Sequence, residues 1–365
     1  MEEQESLDRI VHVDCSACGS MMTYDPAKRM LACAHCGNTQ ALPDAADQVV
    51  ERSYDEAMDL STQETGFDQP KKVFHCNGCG ANTAVEPSQT RFICPFCSSE
   101  NVNAEAHDSK MIRPAGVLPF KIPRDAASGK FKEWIGKGFF APSNLNRLAK
   151  LDGLRSVYLP FWTYDADTDS DWRADAGYYY YETEYYQDKD GNTQERRVRH
   201  TRWVPVNGFY SHSFDDVLIL GSHGITQQFC ERIYPFGLDE VVNYDGRYLL
   251  GHDSEVYQRD VQEGFGVAGE IMDEEIRAAI VSNIPGDTYR DLRVQTHKHD
   301  ITFKHILLPI WIAAYRYNGK LYQFMVNGQT GKISGKKPVS AWKVAGLVIA
   351  ILGAAAAAYF AFAGD

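Results

Sequence analysis

Residues 15–36 read CSACGSMMTYDPAKRMLACAHC, and residues 76–97 read CNGCGANTAVEPSQTRFICPFC. Each segment holds two C-x-x-C pairs separated by 14 residues, and the second segment repeats the first at an offset of 61. The similarity extends between the cysteines, since Asp25-Pro26 in the first segment matches Glu86-Pro87 in the second. The chain therefore contains a small duplicated module.

This spacing predicts two zinc ribbons, each of which binds one structural Zn²⁺. A C-x-x-C turn aims two thiolates at one point, and a second turn brought back by a hairpin completes the tetrahedron. Gly19, Gly37 and Gly80 follow the second cysteine of their pairs, where a tight turn needs positive φ, whereas Ser98 takes that place in the fourth pair. Catalytic zinc is not expected, because four thiolates leave no position for water. The predicted ligands are Cys15, Cys18, Cys33, Cys36, Cys76, Cys79, Cys94 and Cys97.

Disulfides or redox-active C-x-x-C pairs are the alternative interpretation of these cysteines. Disulfides need an oxidising compartment, and the acidic start of the chain shows no secretory signal. His35 and His75 lie beside the predicted ligands, and we expect them to support the sites or to face solvent. Cys230 stands alone in the sequence, and we expect it to be a small buried apolar residue.

The charge of the chain is unevenly distributed. The formal net charge is −12, and residues 1–70 alone hold 14 acidic and 4 basic residues, a net charge of −10. Nucleic-acid affinity depends on Lys and Arg side chains that neutralise phosphates. The acidic excess around the first ribbon therefore argues against nucleic-acid binding there, and it suits a partner with a basic surface.

Composition divides the chain into five segments. They are a first ribbon (10–42), an acidic linker (43–70), a second ribbon (71–103), a β-rich domain (110–338) and an apolar C-terminal stretch (342–363). We interpret the linker as a mobile tether that contains a short helix over Val49–Leu60. The predicted fold class is α+β: two small four-cysteine zinc ribbons, a β-rich antiparallel domain with a few helices, and one C-terminal transmembrane helix.

Periodicity and turn signals locate the elements of the β-rich domain. Helices are predicted over Ala126–Ile135, Leu145–Leu151, Ser254–Glu263 and Asp273–Asn283. Strands are predicted over Tyr178–Gln187, Arg196–Val204, Ile301–Leu308, Ile310–Tyr317 and Leu321–Val326. Within this domain Leu159-Pro160-Phe161-Trp162 recurs as Leu308-Pro309-Ile310-Trp311. Two related β-units would explain the recurrence, and chance is the alternative.

Three apparent site motifs do not meet the requirements of their chemistry. The glycines of 264–269 match G-x-G-x-x-G, but a predicted helix precedes them where a dinucleotide site needs a strand. Residues 328–332, GQTGK, are too short for a phosphate loop and join strands. Alternating aspartates put four carboxylates on one face of a strand, which we interpret as a solvated polar face, with Ca²⁺ binding as the alternative. These aspartates are Asp165, Asp167, Asp169 and Asp171.

The C-terminal stretch Val344–Ala363 is apolar and uncharged over 20 residues. A helix of that length crosses a hydrocarbon core of about 30 Å. Trp342 precedes it at the place of an interfacial tryptophan, and four lysines between positions 332 and 343 precede it with no basic residue after it. The positive-inside rule then places residues 1–343 in the cytoplasm. We therefore predict a single-pass tail anchor, with a buried helix of the main domain as the alternative.

The ribbons, the two Leu-Pro-x-Trp segments and the NGQTGK sequence of residues 327–332 together resemble a family of bacterial membrane proteins. Its members are often labelled TFIIB-type zinc-ribbon proteins, primosomal protein N′ or phage replisome organiser. The chain has no Walker A motif, so a helicase role is not supported. The resemblance implies partners of the phage-shock-protein-A type (PspA, ESCRT-III-like) and of the SPFH (flotillin-like) type, and it implies no catalytic residue.

Two classes of function follow from the sequence. The first is a membrane-anchored cytoplasmic adapter, which is not an enzyme and whose ribbons recognise partner proteins of a membrane-stress or remodelling system. The second is a nucleic-acid-binding protein tethered to the membrane, in which the second ribbon, near Lys71, Lys72, Arg91 and Phe92, is the better candidate. The acidic charge makes nucleic acid the less expected partner. Self-association stays open.

Overall fold

The computed structural model describes residues 13–42, 49–57, 72–85, 93–97, 99–100, 102–105, 112–136, 142, 154–187, 189, 191–317 and 320–362. The strands are β1 (Met22–Asp25), β2 (Met30–Cys33), β3 (Thr39–Gln40), β4 (Arg52–Ser53), β5 (Lys72–Cys76), β6 (Asn82–Val85), β7 (Val102–Glu105), β8 (Gly116–Val117), β9 (Arg155–Gln187), β10 (Thr193–Leu220), β11 (Val242–Asn243), β12 (Asp253–Glu255), β13 (Thr288–Tyr317), β14 (Lys320–Asn327) and β15 (Ile333–Gly335). The helices are α1 (Arg124–Gly136), α2 (Gln227–Glu231), α3 (Val261–Asn283) and α4 (Ala341–Phe362). Short 3-10 turns cover Tyr54–Glu56, Leu238–Glu240 and Gly246–Leu249.

Three very long strands dominate the fold. β9 has 33 residues, β13 has 30 and β10 has 28, whereas a usual strand has about five or six. β9 lies in the centre, with β10 antiparallel on one side and β13 antiparallel on the other. At about 3.3 Å per residue, β9 is on the order of 100 Å long. The predicted antiparallel sheet is confirmed, and its strands are much longer than predicted.

The far end of this sheet narrows to a two-stranded ribbon. β13 pairs with β9 only as far as Thr288, which lies opposite Gly177. Beyond that point β9 and β10 continue alone over residues 178–187 and 193–202, which we call the arm. The hairpin predicted over Tyr178–Gln187 and Arg196–Val204 is confirmed as the arm.

Shorter strands widen the sheet at its base, the end where β9 begins. β14 and β15 extend it beyond β13, and β8 joins β13 in parallel. β12 runs parallel to β9 and links it to β6, β5 and β7. β1, β2 and β3 form a separate small sheet. The base of the long sheet is therefore its widest part.

The predicted strand break at Pro309 is wrong, because β13 runs without interruption through it. The carbonyl of Pro309 accepts a hydrogen bond from the Gly328 N–H at 2.8 Å. Its nitrogen faces the same edge, where the pairing with β14 begins only at Ile310 opposite Asn327. The missing N–H of proline therefore costs no bond of the ladder. In this register Leu308 lies opposite Leu159, so the two recurring segments are neighbours in the sheet; their duplication stays a prediction.

Helix α3 covers one face of the long sheet. Asp260 caps it, because its carboxylate accepts hydrogen bonds from the N–H groups of Gln262 and Glu263 at 2.9 and 2.8 Å. Its buried residues recur every three or four positions and pack against Trp162 and Tyr164. They are Val261, Gly264, Ala268, Met272, Ile276 and Ile280.

Two predicted helices require correction, and others are confirmed or fall outside the described residues. The helix over Ser254–Glu263 is wrong, since 253–255 form β12 and the helix begins only at Val261. The helix over Val49–Leu60 is wrong at Arg52–Ser53, which form β4 and pair with β13, and it is confirmed in part over 54–57, where a 3-10 turn leads into a helical Ala57. In both segments, pairing with a distant strand overrides the helical preference of the local sequence. The predicted Ala126–Ile135 and Asp273–Asn283 are confirmed within α1 and α3. The helix over Leu145–Leu151 and most of the linker 43–70 lie outside the described residues.

Residues Ala341–Phe362 form helix α4. Within the described part of the chain, no helix is both long enough and apolar enough to cross a membrane. Because the predicted span 344–363 extends beyond the described residues, it stays a prediction.

Candidate metal centres

The first quartet of cysteines converges on one point. The Sγ atoms of Cys15 and Cys36 lie 3.4 Å apart, and those of Cys18 and Cys33 lie 3.5 Å apart. All four Sγ atoms lie within 4.8 Å of one another. A disulfide needs an S–S distance of about 2.05 Å, and these cysteines are free thiols. The disulfide interpretation is therefore not supported here.

Two backbone turns of the same design aim these thiols. The Cys15 N–H donates to the Ser20 carbonyl at 2.8 Å, and the Cys33 N–H donates to the Asn38 carbonyl at 2.9 Å. Gly19 and Gly37 close the turns with φ of 71° and 77°, in the left-handed region that favours glycine. The role predicted for these glycines is confirmed.

The second quartet repeats this geometry. The Sγ atoms of Cys76 and Cys97 are 3.4 Å apart, and those of Cys79 and Cys94 are 3.6 Å apart. Gly80 takes a φ of 82°. The turn at Glu86-Pro87 and the residue Ser98 lie outside the described residues. The structure thus brings all eight predicted ligands together in two groups of four.

Both groups fit a structural metal ion. Four thiolates at 2.3 Å from a tetrahedral zinc would be about 3.8 Å apart, close to the shorter Sγ–Sγ distances. A hydrogen bond from the Ala17 backbone lowers the pKa of the Cys15 thiol to about 6, whereas burial raises that of Cys97 to about 12. A bound cation favours the thiolate form of every ligand. A bound metal ion would therefore allow all four thiols of a quartet to be deprotonated at the same time.

The two neighbouring histidines do not join the quartets within the described residues. His75 Nδ1 lies 2.6 Å from the side-chain oxygen of Asn82, a cross-strand neighbour. His35 is exposed. Cys230 is fully buried in an apolar cluster of the sheet, as predicted.

The ribbons are built into the body of the protein. Tyr24 of the first ribbon donates its hydroxyl to the Phe120 carbonyl at 3.3 Å, and its N–H donates to the Leu250 carbonyl at 2.9 Å. In the second ribbon, β6 pairs with β12 of the long sheet. Three of its ligands, Cys76, Cys94 and Cys97, share a buried cluster with Phe161 and other core residues. In the described part of the chain the ribbons therefore pack against the main domain and are not separate small modules. Most of the predicted tether lies outside the described residues, and its mobility stays a prediction.

Sequence reasoning missed a buried carboxyl group beside the second ribbon. Glu255 is fully buried on β12, opposite Thr83 of β6. The Ser222 hydroxyl donates to it at 2.7 Å, and the Gln258 amide donates at 3.3 Å. Burial raises its pKa to about 8. No sequence pattern identified Glu255 as a buried residue, and the segment around it was predicted to be a helix.

The four aspartates of β9 lie on one face of the strand, as their alternation predicts; Asp165, Asp167 and Asp169 are half-buried, and Asp171 is exposed. Their even-numbered neighbours Ala166, Thr168 and Ser170 are buried. The Ser211 and Ser213 hydroxyls of β10 donate to Asp169 and Asp167 at 2.6 and 2.5 Å. Asp167 also lies close to His299 and Asp300, and Asp165 lies close to Asp215 and Asp216, with potential ligand atoms within 4.8 Å of one another in each group. Both the solvated polar face and the cation site therefore stay predictions.

The chain was compared with protein-family models, with curated proteins and with solved structures. No protein-family model matches it, and no solved structure matches it. The chain is similar to a Bacillus subtilis (strain 168) protein named Uncharacterized protein YdjG, with 28% identity over 350 residues. The similarity covers 94% of this chain and 95% of the relative. It therefore extends well beyond the cysteine modules.

Proposed function

We propose that the chain is an adapter anchored in the bacterial inner membrane, which holds two structural zinc ions and presents the extended arm to partner proteins in the cytoplasm. The observation that carries this proposal is the separation of the arm from the C-terminal helix. α4 follows β15, which pairs with β14 at the base of the sheet. The tip of the arm lies on the order of 100 Å farther along β9.

Helix α4 supports the membrane anchor. Among its described side chains, Ile349 is 69% exposed, Leu352 is 63% exposed and Trp342 is 88% exposed. Contiguous exposed apolar surface is typical of a site that a membrane or another protein covers. In the proposed topology the predicted stretch 344–363, which continues beyond the described residues, spans the bilayer, and the remainder of the chain lies in the cytoplasm.

The arm supports the role in partner binding. Tyr181 is 55% exposed and Tyr185 is 71% exposed. Arginines of β10 lie over tyrosine rings of β9, for example Arg199 at 4.3 Å from the Tyr179 ring centroid. Exposed tyrosine and arginine are enriched in the parts of interfaces that contribute most to binding. By the family resemblance, the proposed partners are PspA-type (ESCRT-III-like) and SPFH-type proteins.

Fractionation and crosslinking test the proposal. We expect the full chain to sediment with membranes and a chain ending at residue 340 to remain in the supernatant. Crosslinking of the membrane-embedded protein should connect the arm to an ESCRT-III-like or SPFH-type protein. A variant in which an Asn-Gly turn replaces residues 179–201 should lose these crosslinks but keep its zinc. A full chain that stays in the supernatant would refute the anchor, and crosslinks that survive loss of the arm would refute its role.

Single-stranded nucleic acid is the second candidate partner, and one observation favours it. Tyr179, Tyr181 and Tyr185 share a face of the arm with Arg197 and Arg199, and aromatic rings beside cations bind stacked bases and phosphates. Salt-dependent binding of a fluorescent oligonucleotide, lost in Arg199→Ala, would support this candidate. Binding that the variant leaves unchanged would exclude the arm as its site. Of the four residues named as a nucleic-acid site at the second ribbon, Lys71, Arg91 and Phe92 lie outside the described residues.

A further inference from the structure

The arm has a free side where the long sheet loses its third strand. β13 pairs with β9 as far as Thr288, which lies opposite Gly177. From Tyr178 to Gln187, β9 pairs only with β10 in the described part of the chain. The side of β9 that β13 occupies nearer the base is therefore vacant along the arm, and we call this side the open edge.

The backbone groups that point to the open edge can be identified from one hydrogen bond. The Tyr179 N–H donates to the side chain of Asp287 at 2.7 Å. Asp287 directly precedes β13, so the backbone groups of Tyr179 point to the side of β9 that β13 occupies. Because successive residues of a strand direct these groups to opposite sides, those of Tyr181, Thr183 and Tyr185 point to the open edge as well. Each of these three residues offers an N–H and a carbonyl to a further strand.

The outer side of β10 is less suited to a further strand. Pro205 of β10 lies opposite Asp175 of β9 in a continuous register, and proline has no N–H to give to the ladder. The backbone groups of Pro205, and by alternation those of Thr201, therefore point away from β9. Proline on an edge strand blocks pairing with another chain. The open edge holds no proline and continues the line of β13.

One face of the arm brings positive charge towards the open edge. The Arg199 guanidinium lies 4.3 Å from the centroid of the Tyr179 ring, and the Arg197 guanidinium lies 5.0 Å from that of Tyr181. Both arginines belong to β10, so their side chains reach across to β9 and hold their charge over its rings. In the described part of the chain, the ion pairs of the arm lie on its other face. Glu195, nearer the tip, is the one acidic residue of the arm on the arginine face.

We propose that the open edge binds an extended, acidic segment of a partner protein, which adds to the arm as a third strand antiparallel to β9. Main-chain hydrogen bonds to Tyr181, Thr183 and Tyr185 hold the segment, and its alternate side chains give the specificity. Carboxylates at these alternate positions lie beside Arg197 and Arg199, so the site selects an acidic sequence. This inference rests on the proposed role of the arm and specifies the chemistry of its partner.

Two fluorescent peptides of about ten residues, the length of the arm, test the open edge on the full chain in detergent. One peptide alternates glutamate with threonine and the other alternates lysine with threonine. Fluorescence anisotropy should show binding of the glutamate peptide that is at least about tenfold tighter.

A pair of proline substitutions tests the edge itself. Thr183→Pro removes one N–H from the open edge and breaks no bond to β10, because that N–H points away from β10. It should raise the Kd of the glutamate peptide by about tenfold or more. Thr201→Pro makes the same exchange on the outer side of β10 and should leave the Kd unchanged.

A second pair of variants leaves the backbone as it is. Arg199→Glu puts a negative charge beside the open edge and should also weaken binding of the glutamate peptide by about tenfold or more. Arg202→Glu reverses a charge on the other face of the arm and should have little effect. Unaltered zinc content and near-ultraviolet circular dichroism would show that each variant folds.

Several outcomes would overturn strand addition. They are equal binding of the two peptides, binding that survives both Thr183→Pro and Arg199→Glu, and equal losses in the two proline variants. A single-stranded oligonucleotide that binds the arm when the glutamate peptide does not would overturn it too. So would a dimer of the parent chain that Thr183→Pro dissociates, since a second copy would then occupy the edge.

The crosslinking experiment separates this inference from the adapter role. Arm crosslinks to a partner protein that persist in Thr183→Pro would refute strand addition and leave the adapter role intact. A parent chain whose arm forms no crosslink, but whose open edge binds the glutamate peptide, would refute the adapter role of the arm and support the open edge as a binding site.

Discussion

At the residue scale, Glu255 makes the stability of the chain depend on pH. Burial disfavours its charged form and raises its pKa from 4.5 to about 8. The folded chain therefore holds this proton more tightly than the unfolded chain does. The stabilising contribution is complete below the unfolded pKa and is lost as the pH rises from 4.5 through about 8.

The substitution Glu255→Gln should remove this dependence. Glutamine stays neutral and retains an oxygen that can accept from Ser222. We expect the variant to match the parent near the lower limit of this pH window and to be more stable by ~2 kcal/mol or more above its upper limit. Urea unfolding of the zinc-loaded protein at both pH values measures the difference. Glu274→Gln on the exposed side of α3 is the control, and an equal effect of Glu255→Gln at both pH values would contradict the prediction.

The cysteines lead to a second prediction at this scale, on metal content. Cys97→Ser removes one ligand of the second quartet, whereas Cys230→Ser removes a thiol that belongs to neither quartet. We expect elemental analysis to find about one zinc per chain in the first variant and two in the second. Two zinc ions in Cys97→Ser would show that the second site does not need four thiolates.

These residues also show what a sequence can and cannot predict about a site. The eight cysteines and their glycines were predictable, because ligand geometry fixes their spacing within a short stretch of chain. Glu255 was not, because Ser222 and the opposing Thr83 meet it only through strand pairing. Burial of a polar group by distant segments leaves no local pattern.

At the scale of elements, the existence of the strands was predictable from the local sequence, but their length was not. Alternation and the turn after Gln187 revealed the hairpin. The extent of the ladder depends on the support that β9 receives from β13, which lies more than a hundred residues later in the chain. Helix α3 is a similar case, since its glycines match a dinucleotide motif but lie inside the helix, where Gly264 lets it approach the sheet.

Two glycines of α3 provide a matched pair of substitutions. A Cβ at Gly264 would lie 2.2 Å from the Tyr164 hydroxyl oxygen, whereas a Cβ at Gly266 meets nothing within 4 Å. Gly264→Ala must push the helix off the sheet or break the bond from Tyr164 to the Val261 carbonyl, and should cost ~1–3 kcal/mol. Gly266→Ala should stabilise the protein by ~0.5–1 kcal/mol through helix propensity. Thermal unfolding of both variants measures this, and a shift in the same direction for both would contradict the packing of α3.

At the scale of the whole molecule, the ribbons and the sheet form one structural unit in the described part of the chain. Cys15 and Cys33 share a buried cluster with Phe120 and Trp311 at the base. The second quartet lies in the cluster that contains Phe161 and Leu308, where the two recurring segments meet. Sequence reasoning treated the ribbons as small separate modules joined by a mobile tether, because such modules are recognisable alone and their contacts with the sheet are not.

This arrangement predicts that metal removal unfolds more than the ribbons. Structural zinc contributes about 10–16 kcal/mol of apparent folding free energy in isolated fingers. Here the ligands also line the core, so chelation should expose β9 and β13 around Leu159 and Leu308. Hydrogen exchange with mass spectrometry, before and after treatment with a chelator, should show lost protection over residues 157–164 and 305–312. The arm, residues 178–187, serves as the internal reference, since it contacts neither quartet. If protection is lost only in residues 13–42 and 72–105, the ribbons are independent units, and the shared core does not couple metal binding to the stability of the sheet.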